Sequence, residues 1–362
     1  MPGLNKSIAY QRLRNQRILG SKVDTPEDVV RGMGAMQAQD YHQAVWAVAL
    51  RTNGGTLTDV EQAIADGKII CTWPMRGTIH FIPPENVRWM LRLFASRVIK
   101  GIGRRMAQLN LTQDDLLRSQ ELCEKALANG VCLTRSSLLD LFEASNLSAR
   151  GPRGYHILTQ LAQRGVLCQG PRQGKEQTFT LLDTWVAEAE TLSDEDALAK
   201  LATLYFTTHG PATAQDFAWW TGSTLTDARK GIQGAVPALQ CEKIERIEYY
   251  KALNQDDESF ESSVWLLPGY DEYILGYKDR SAVLREGDIN YVVPGSNGVF
   301  RPMIVVNGQI AGTWTKMLKK RHLDINLEPF LPMSDVQLEM AASEAERYGV
   351  FHGLPTSLKV IS

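Results

Sequence analysis

Apolar and polar positions in the first 84 residues follow a helical period and then an alternating one. The helical period predicts four helices, with Thr25 capping the second, over residues 5–18, 26–36, 41–50 and 58–66. Two alternating runs, Lys68–Trp73 and Thr78–Ile82, flank a turn at Gly77 and predict a hairpin. Helices followed by a hairpin are typical of a winged helix.

The same plan repeats twice further along the chain. The second copy has predicted helices at 85–108, 114–129, 135–144 and 152–165, and strands at Val166–Gln169 and Gln177–Leu182 around a basic loop. In the third copy we predict helices at 193–208, 214–220 and 224–234, and a strand at Ile244–Leu253. Thr134 and Thr213 stand where N-caps belong.

The last hundred residues change character. They contain predicted strands at Val264–Leu267, Tyr291–Val293, Phe300–Val306 and Gln309–Trp314, and a closing helix at 334–348. Asn307-Gly308 is typical of a tight hairpin turn. We therefore predict an α+β fold with three tandem winged-helix units, residues 1–84, 85–190 and 191–260, and a β-rich section, 261–362.

Charge is distributed unevenly along the chain. Residues 1–110 carry 15 Lys and Arg against 8 Asp and Glu, whereas residues 181–362 carry 16 against 26. A basic first third is compatible with a polyanion docking there, and chance unevenness is the alternative. The segment 85–108 holds six basic residues and one acid, and Arg97, Lys100 and Arg104 share one face of a continuous helix.

Several classes of chemistry lack their signatures. The five cysteines form no CxxC pair, the six histidines form no HxH or HExxH spacing, and no phosphate-binding glycine loop is present. We expect no metal and no other cofactor. Without an apolar run long enough for a membrane span or a signal peptide, the sequence predicts a cytoplasmic protein with no membrane partner. We expect it to be nucleoid-associated only because of the DNA partner considered below.

Gln37-Ala38-Gln39 is the most informative short motif. It lies between two predicted helices, and glutamine is a poor choice for a core position. Residues two apart share a face only where the backbone is extended. The motif is therefore either an incidental polar junction or a pair of amides aimed at one point.

Other polar residues allow two interpretations each. Asp40 is either a water activator or the N-cap of the next helix, and Asp271 is either a water activator or a structural residue paired with Arg280 or a neighbour. His80 either faces a cleft or is a buried structural histidine. A set of basic residues either contacts phosphates or only decorates a solvated surface: Arg76, Arg97, Lys100, Arg104, Arg153, Arg172 and Lys175.

Four runs of sequence carry a resemblance to a known family. They are Met36-Gln37-Ala38-Gln39-Asp40 with Trp46, Met75 to His80, Leu267 to Arg280, and Gly308 through Trp314. In this order they resemble the AlkZ family of winged-helix DNA glycosylases along nearly the whole chain. Gln37-Ala38-Gln39 matches the Gln-x-Gln form of the family's catalytic signature and departs from the Gln–Asp form of the YcaQ-like branch.

The resemblance implies a fold, a reaction and a partner. The implied fold has three winged helices around a DNA-sized channel. The implied enzyme hydrolyses the N-glycosidic bond of cationic N-alkylated purines in double-stranded DNA, including bulky adducts or crosslinks, with Gln37 and Gln39 positioning the water. We expect a monofunctional, monomeric glycosylase, with a hairpin around Asn307-Gly308 probing the minor groove. The alternative is a winged-helix DNA-binding regulator without catalysis.

Overall fold

The computed structural model describes residues 2–186, 190–253 and 260–361. Its α-helices are α1 (Pro2–Asn15), α2 (Pro26–Met33), α3 (Tyr41–Ala49), α4 (Leu57–Ala65), α5 (Pro84–Gly101), α6 (Gly103–Gln108), α7 (Gln113–Ala126), α8 (Arg135–Ala144), α9 (Pro152–Gln163), α10 (Leu182–Trp185), α11 (Asp194–His209), α12 (Ala214–Thr221), α13 (Leu225–Ala235), α14 (Glu272–Leu275), α15 (Ile289–Val292) and α16 (Asp335–His352). Short 3-10 turns occupy Ala128–Gly130, Val236–Ala238 and Pro294–Ser296.

The strands are β1 (Met36–Gln37), β2 (Ile70–Met75), β3 (Thr78–Ile82), β4 (Leu133–Thr134), β5 (Leu167–Gln173), β6 (Glu176–Leu181), β7 (Leu239–Ile244), β8 (Ile247–Ala252), β9 (Val264–Leu267), β10 (Met303–Val306), β11 (Gln309–Leu318), β12 (Leu323–Pro329) and β13 (Thr356–Val360). The predicted α+β class is confirmed.

The chain divides into two compact units. One combines Met1–Met33, Gln37–Val60 and Leu198–Ser362, and the other combines Gly34–Met36 and Glu61–Ala197. These units follow contacts between distant parts of the chain. The division into four consecutive segments stays a prediction.

The unit that contains residues 61–197 is built on a six-stranded sheet, in the order β1-β3-β2-β5-β6-β4. The hairpin β2–β3 pairs Ile70 with Ile82, and β5–β6 pairs Leu167 with Leu181. Cys71 on β2 pairs with Gln169 on β5. The two hairpins that the sequence assigns to separate winged helices therefore belong to one sheet.

A second sheet, in the unit that contains residues 198–362, has the order β13-β12-β11-β10-β9. Strands β12 and β13 are parallel, and α16 is the crossover that such a pair needs. Tyr348 on α16 lies 4.9 Å from Trp46 and 5.1 Å from Trp314 between ring centroids. Both indole N–H groups donate to carbonyls of β9, at Leu266 and Leu267. Burial of this aromatic cluster fixes the helix on the sheet.

Three predicted elements differ in the structure. The helix predicted over 85–108 breaks at Ile102, which has φ −99° and ψ 4° between two glycines of low helix propensity. The strand predicted at Tyr291–Val293 is part of helix α15, an ambiguity typical of short apolar runs. The strand predicted at Ile244–Leu253 is the hairpin β7–β8, whose turn residues Glu245 and Arg246 have φ of 47° and 71° without a glycine signal.

One half-buried histidine at the end of α16 predicts a pH dependence. Burial against Tyr348 and Phe351, with Lys316 nearby, lowers the pKa of His352 to about 4. The unfolded chain takes up this proton near pH 6.5, so stability is lost as pH falls from about 6.5 to about 4. Between about pH 6.5 and pH 4, we expect the free energy of unfolding of His352→Gln to fall by about 1–2 kcal/mol less than that of the unmodified chain, after allowance for solvent screening.

Denaturant unfolding of both proteins at pH 8, 6 and 4 measures this difference. The values at pH 8 correct for any loss of packing in the variant. Identical slopes of unfolding free energy against pH would contradict the assignment to His352.

Candidate functional site

Gln37-Ala38-Gln39 lies on a short non-helical stretch between α2 and α3. Gly34 turns the chain after α2 with φ 77°, and Gln37 ends strand β1. Gln37 is half-buried, Ala38 is buried and Gln39 is exposed. The strand includes Gln37 but not Gln39, which lies at a bend, so a shared face for the two glutamine side chains stays a prediction.

Asp40, which follows the motif, caps α3. Its Oδ1 accepts hydrogen bonds from the backbone N–H groups of His42 and Gln43 at 3.1 and 3.3 Å. Such a cap satisfies donors at the first turn of the helix. Of the two interpretations of Asp40, the structure supports the cap.

Gln37 is anchored through its backbone. Its N–H donates to Oε1 of Glu272 at 2.8 Å. Its side-chain oxygen Oε1 is buried and has no hydrogen-bond partner among the residues that the structure describes. Buried polar atoms are normally satisfied, so an oxygen in this state is available to a water or a ligand.

Glu272 is itself almost completely enclosed, with 1% of its surface exposed. Its Oε2 accepts from Nε1 of Trp220 at 2.8 Å and lies 3.3 Å from Nε2 of His209. Sequence reasoning did not identify Glu272 as a site residue. The only signal was its place in the run from Leu267 to Arg280 that resembles the family.

Asp271, next to Glu272, forms a buried ion pair with Arg51. Two parallel contacts of 2.9 Å join the guanidinium to the carboxylate, and both side chains are 0% exposed. Asp271 also caps α14 through the N–H of Tyr273. The structural interpretation holds, with Arg51 as the partner that the structure shows in place of the predicted Arg280.

The ion pair continues into a polar core. Arg51 also donates to the side chain of Gln16 at 3.0 Å, and Gln16 donates to the hydroxyl of Tyr277 at 3.0 Å. The Arg12 guanidinium carbon lies 3.6 Å from the centre of the Tyr277 ring. Burial raises the pKa values of Tyr277, Tyr273 and Tyr205, so these phenols stay neutral donors.

His80 is 0% exposed on β3. Its Nδ1 lies 2.9 Å from the carbonyl oxygen of Thr78, and His80 pairs with Thr72 across the hairpin. This placement agrees with a buried structural histidine rather than a residue that faces a cleft.

The predicted phosphate contacts fall into two groups. The Arg153 side chain is hydrogen-bonded within its own unit. Its guanidinium donates to the carbonyls of Ser148, Leu109 and Asn110 and lies 3.3 Å from Asp115. These bonds disfavour the phosphate contact predicted for Arg153. The other predicted contacts lie on α5 and α6 (Arg97, Lys100 and Arg104), in hairpin turns (Arg76 and Lys175) and near the end of strand β5 (Arg172). Arg104 stands on α6, beyond the break after α5, so the three residues predicted on one continuous helix are divided between two helices.

The hairpin turn at Asn307-Gly308 is packed inside its unit. The Gly308 carbonyl accepts from the Tyr273 hydroxyl at 2.7 Å, and a Cβ at Gly308 would lie 3.0 Å from that of Ala9. Gly308 is thus buried within its unit whereas Asn307 is exposed, so a DNA contact at this turn stays a prediction. Another hairpin of this sheet, β11–β12, has an exposed tip that carries Lys319, Lys320 and Arg321.

Two features are absent from the described ranges. No group of three or more His, Cys, Asp and Glu residues within them is arranged to hold a metal ion. None of the helices described is both long and apolar enough to cross a membrane.

Comparison with known proteins gives this fold and site a class. A family model described as "DNA glycosylase AlkZ-like" matches residues 30–351. A solved structure, the Streptomyces sahachiroi DNA glycosylase AlkZ, superimposes with a TM-score of 0.81 over 98% of each chain at 24% identity, which establishes the similarity of fold.

A curated relative from the same organism, "Interstrand DNA cross-link repair glycosylase", is 28% identical over 327 residues, 85% of this chain and 87% of that protein. The chain is thus an enzyme of the DNA glycosylase class. Within that class it belongs to the AlkZ-like family, as its sequence motifs predicted. The alternative of a regulator without catalysis is not supported.

Proposed function

We propose that this glycosylase hydrolyses the N-glycosidic bond of cationic N-alkylated purines in duplex DNA with a water held by Gln37 and Gln39. The observation that carries the proposal is the buried Oε1 of Gln37, which has no hydrogen-bond partner within the described ranges and lies on a strand whose Gln37 N–H donates to Glu272 at 2.8 Å. A buried acceptor without a partner is costly, so this amide oxygen is a candidate to bind a water or substrate group that enters the site, and oriented acceptors of this kind can position a reacting water. Exposed Gln39, two residues away, supplies the second acceptor.

The chemistry of the substrate explains why amides suffice. Alkylation at N7 or N3 makes the purine a cation and a good leaving group, so the transition state is oxocarbenium-like at C1′. Oriented carbonyl dipoles stabilise that positive charge and hold the water. Glutamine has no useful basicity and is not a general base. With no lysine nucleophile in this scheme, the enzyme is monofunctional, and borohydride trapping of a covalent DNA complex would contradict it.

Bulky lesions fit this scheme as well. The curated relative is named for interstrand cross-link repair, and this chain matches 87% of that protein's length. Because Gln39 is exposed, the proposed catalytic motif does not require the lesion to enter a deep pocket. We therefore extend the proposed substrates to bulky adducts and interstrand crosslinks, bound by a monomer with three winged-helix units.

Alanine variants of the motif test the proposal. We expect Gln37→Ala and Gln39→Ala each to slow single-turnover release of 7-methylguanine by about 10²-fold, the typical loss on removing one preorganised polar group. Affinity for the same duplex should stay within about twofold. Gln62→Ala is the matched control, since this exposed glutamine on α4 donates to the side chain of Asp66, four residues away and outside the motif.

Two results would contradict the proposal. In one, Gln37→Ala and Gln39→Ala release the base as fast as Gln62→Ala does. In the other, the unmodified enzyme releases neither 7-methylguanine nor a crosslinked purine.

We also propose that the tip of the β11–β12 hairpin contacts DNA. Lys320 and Arg321 are exposed there beside the exposed apolar Met317 and Leu318, whereas Lys319 is paired with Asp324 at 2.5 Å. We expect Lys320→Gln/Arg321→Gln to weaken duplex binding and to reduce the slope of log affinity against log salt by about 2, one for each lost phosphate contact. Fluorescence anisotropy at several salt concentrations measures it.

The control for the tip is a pair of similar charges elsewhere on the same unit. Arg229→Gln/Lys230→Gln removes two cations from α13, outside the predicted contacts. An equal change of salt slope in both double variants would remove the tip from the interface.

A further inference from the structure

Glu272 is the feature of the site that the proposed reaction leaves unused. Its two carboxylate oxygens face three nitrogen atoms, from Gln37 at 2.8 Å, Trp220 at 2.8 Å and His209 at 3.3 Å. A buried carboxylate is costly unless it is hydrogen-bonded, and here the bonds satisfy both oxygens. One of the three connects it directly to the residue proposed to hold the water.

The partners of Glu272 are themselves fixed. The His209 ring lies parallel to Tyr205, at 10° and with centroids 4.6 Å apart, and its Nδ1 lies 2.9 Å from the Thr208 hydroxyl. A Cβ at Gly276 would lie 2.4 Å from Cδ2 of His209, so the ring fills the available space. The carboxylate therefore has little freedom to move, and neither does the backbone that it holds.

The contact spans a long stretch of sequence. Gln37 and Glu272 are 235 residues apart, and the strand that carries Gln37 is only two residues long. Such a short strand has few hydrogen bonds of its own to define its position. The Glu272 contact is thus well placed to decide where the Gln37 amide points.

We propose that Glu272 is a positioning residue for Gln37, and that Trp220 and His209 hold it in place for that role. This inference rests on the proposed function of Gln37. A displacement of catalytic groups by about 1 Å costs on the order of 10²-fold in rate, so loss of this contact has a large kinetic effect without any contact to DNA. Loss of the Trp220 hydrogen bond alone leaves the Gln37 contact in place and has a smaller effect.

A double-mutant cycle on single-turnover release of 7-methylguanine tests the coupling. We expect Glu272→Gln to slow release by about 10–100-fold with duplex affinity unchanged, because the amide cannot accept from all three donors. In the Gln37→Ala background the same substitution should change the rate by less than about threefold, since the group it positions is absent. Trp220→Phe should slow release several-fold in the folded protein.

Asp216→Asn is the matched control. Asp216 is also buried, and its Oδ1 accepts from the backbone N–H groups of Lys278 and Asp279 at 2.9 and 3.1 Å, away from the motif. Thermal unfolding of each variant separates loss of stability from loss of rate. We expect Asp216→Asn to lower stability while the folded protein retains its rate.

The outcomes separate the two proposals. If Gln37→Ala releases the base at the normal rate, the proposed function fails. If Gln37→Ala is slow but Glu272→Gln has the normal rate, or slows release equally in both backgrounds, only the positioning role is overturned. Should Glu272→Gln not fold, Trp220→Phe decides, because a folded Trp220→Phe with a normal rate contradicts the inference.

Discussion

Asp271→Asn is expected to lower the free energy of unfolding by about 3–5 kcal/mol, the largest stability change in this set of variants. The Arg51 guanidinium uses its N–H groups on the Gln16 carbonyl, the Ala47 carbonyl, the Gln16 side chain and both oxygens of Asp271. An asparagine offers one acceptor where the carboxylate offers two, and leaves a buried positive charge uncompensated. Chemical denaturation at neutral pH measures the loss.

Two variants give this experiment its controls. Asp183→Asn removes a pair with Arg88 in which the side chains are 79% and 40% exposed, and it should cost less than about 1 kcal/mol. Arg51→Met/Asp271→Leu removes both charges and should recover much of the stability, because apolar side chains of similar size can replace a buried pair. Equal losses in Asp271→Asn and Asp183→Asn would show that the buried pair is not what stabilises this unit.

This result bears on how activity losses are interpreted. Asp271 and Glu272 are adjacent in sequence but have different partners, Arg51 for one and the backbone of Gln37 for the other. A loss of activity in Asp271→Asn should therefore follow the fraction of folded protein. A loss in Glu272→Gln should persist in the folded fraction. Measuring both variants side by side distinguishes support of the fold from support of the motif.

Local chemistry made much of the fold predictable. Thr134 and Thr213 cap α8 and α12 as the sequence indicates, because an N-cap is a contact between near neighbours. The strands Thr78–Ile82 and Val264–Leu267 have their predicted bounds, since alternating apolar residues fit a half-buried or buried strand. The helix junction at Gln37-Ala38-Gln39 was also predicted correctly, whereas a catalytic role for the two glutamines stays a prediction.

Contacts between distant residues were not predictable in this way. The pairs Arg51–Asp271 and Gln37–Glu272 join residues 220 and 235 positions apart, and nothing in either local pattern identifies the partner. The strands Leu323–Pro329 and Thr356–Val360 were missed because their pairing depends on the crossover through α16. The partners of a charged side chain were equally hard to predict. Arg153 donates to the carbonyls of Leu109 and Ser148, and the sequence pattern around Arg153 does not identify either one.

Lesion charge should control the rate more strongly than any single substitution. We expect release of 7-methylguanine to exceed release of uracil by on the order of 10³-fold, the contribution that a general acid or base typically makes and that two glutamines do not supply. A neutral uracil leaves as an anion and needs proton transfer or strong anion stabilisation. The half-buried amide of Gln37 and the exposed amide of Gln39 offer oriented dipoles instead.

Single-turnover release from two duplexes of identical sequence, with one lesion each and saturating enzyme, measures the ratio. Spontaneous depurination of the methylated duplex without enzyme is subtracted, and equal affinity for both duplexes confirms that the difference lies in the chemical step. Uracil release within about tenfold of 7-methylguanine release would contradict the scheme of two glutamine dipoles and would require a group that stabilises the leaving anion or activates the water. Asp40 is the residue then to be reconsidered, since its carboxylate is exposed and adjoins Gln39 even though it caps α3.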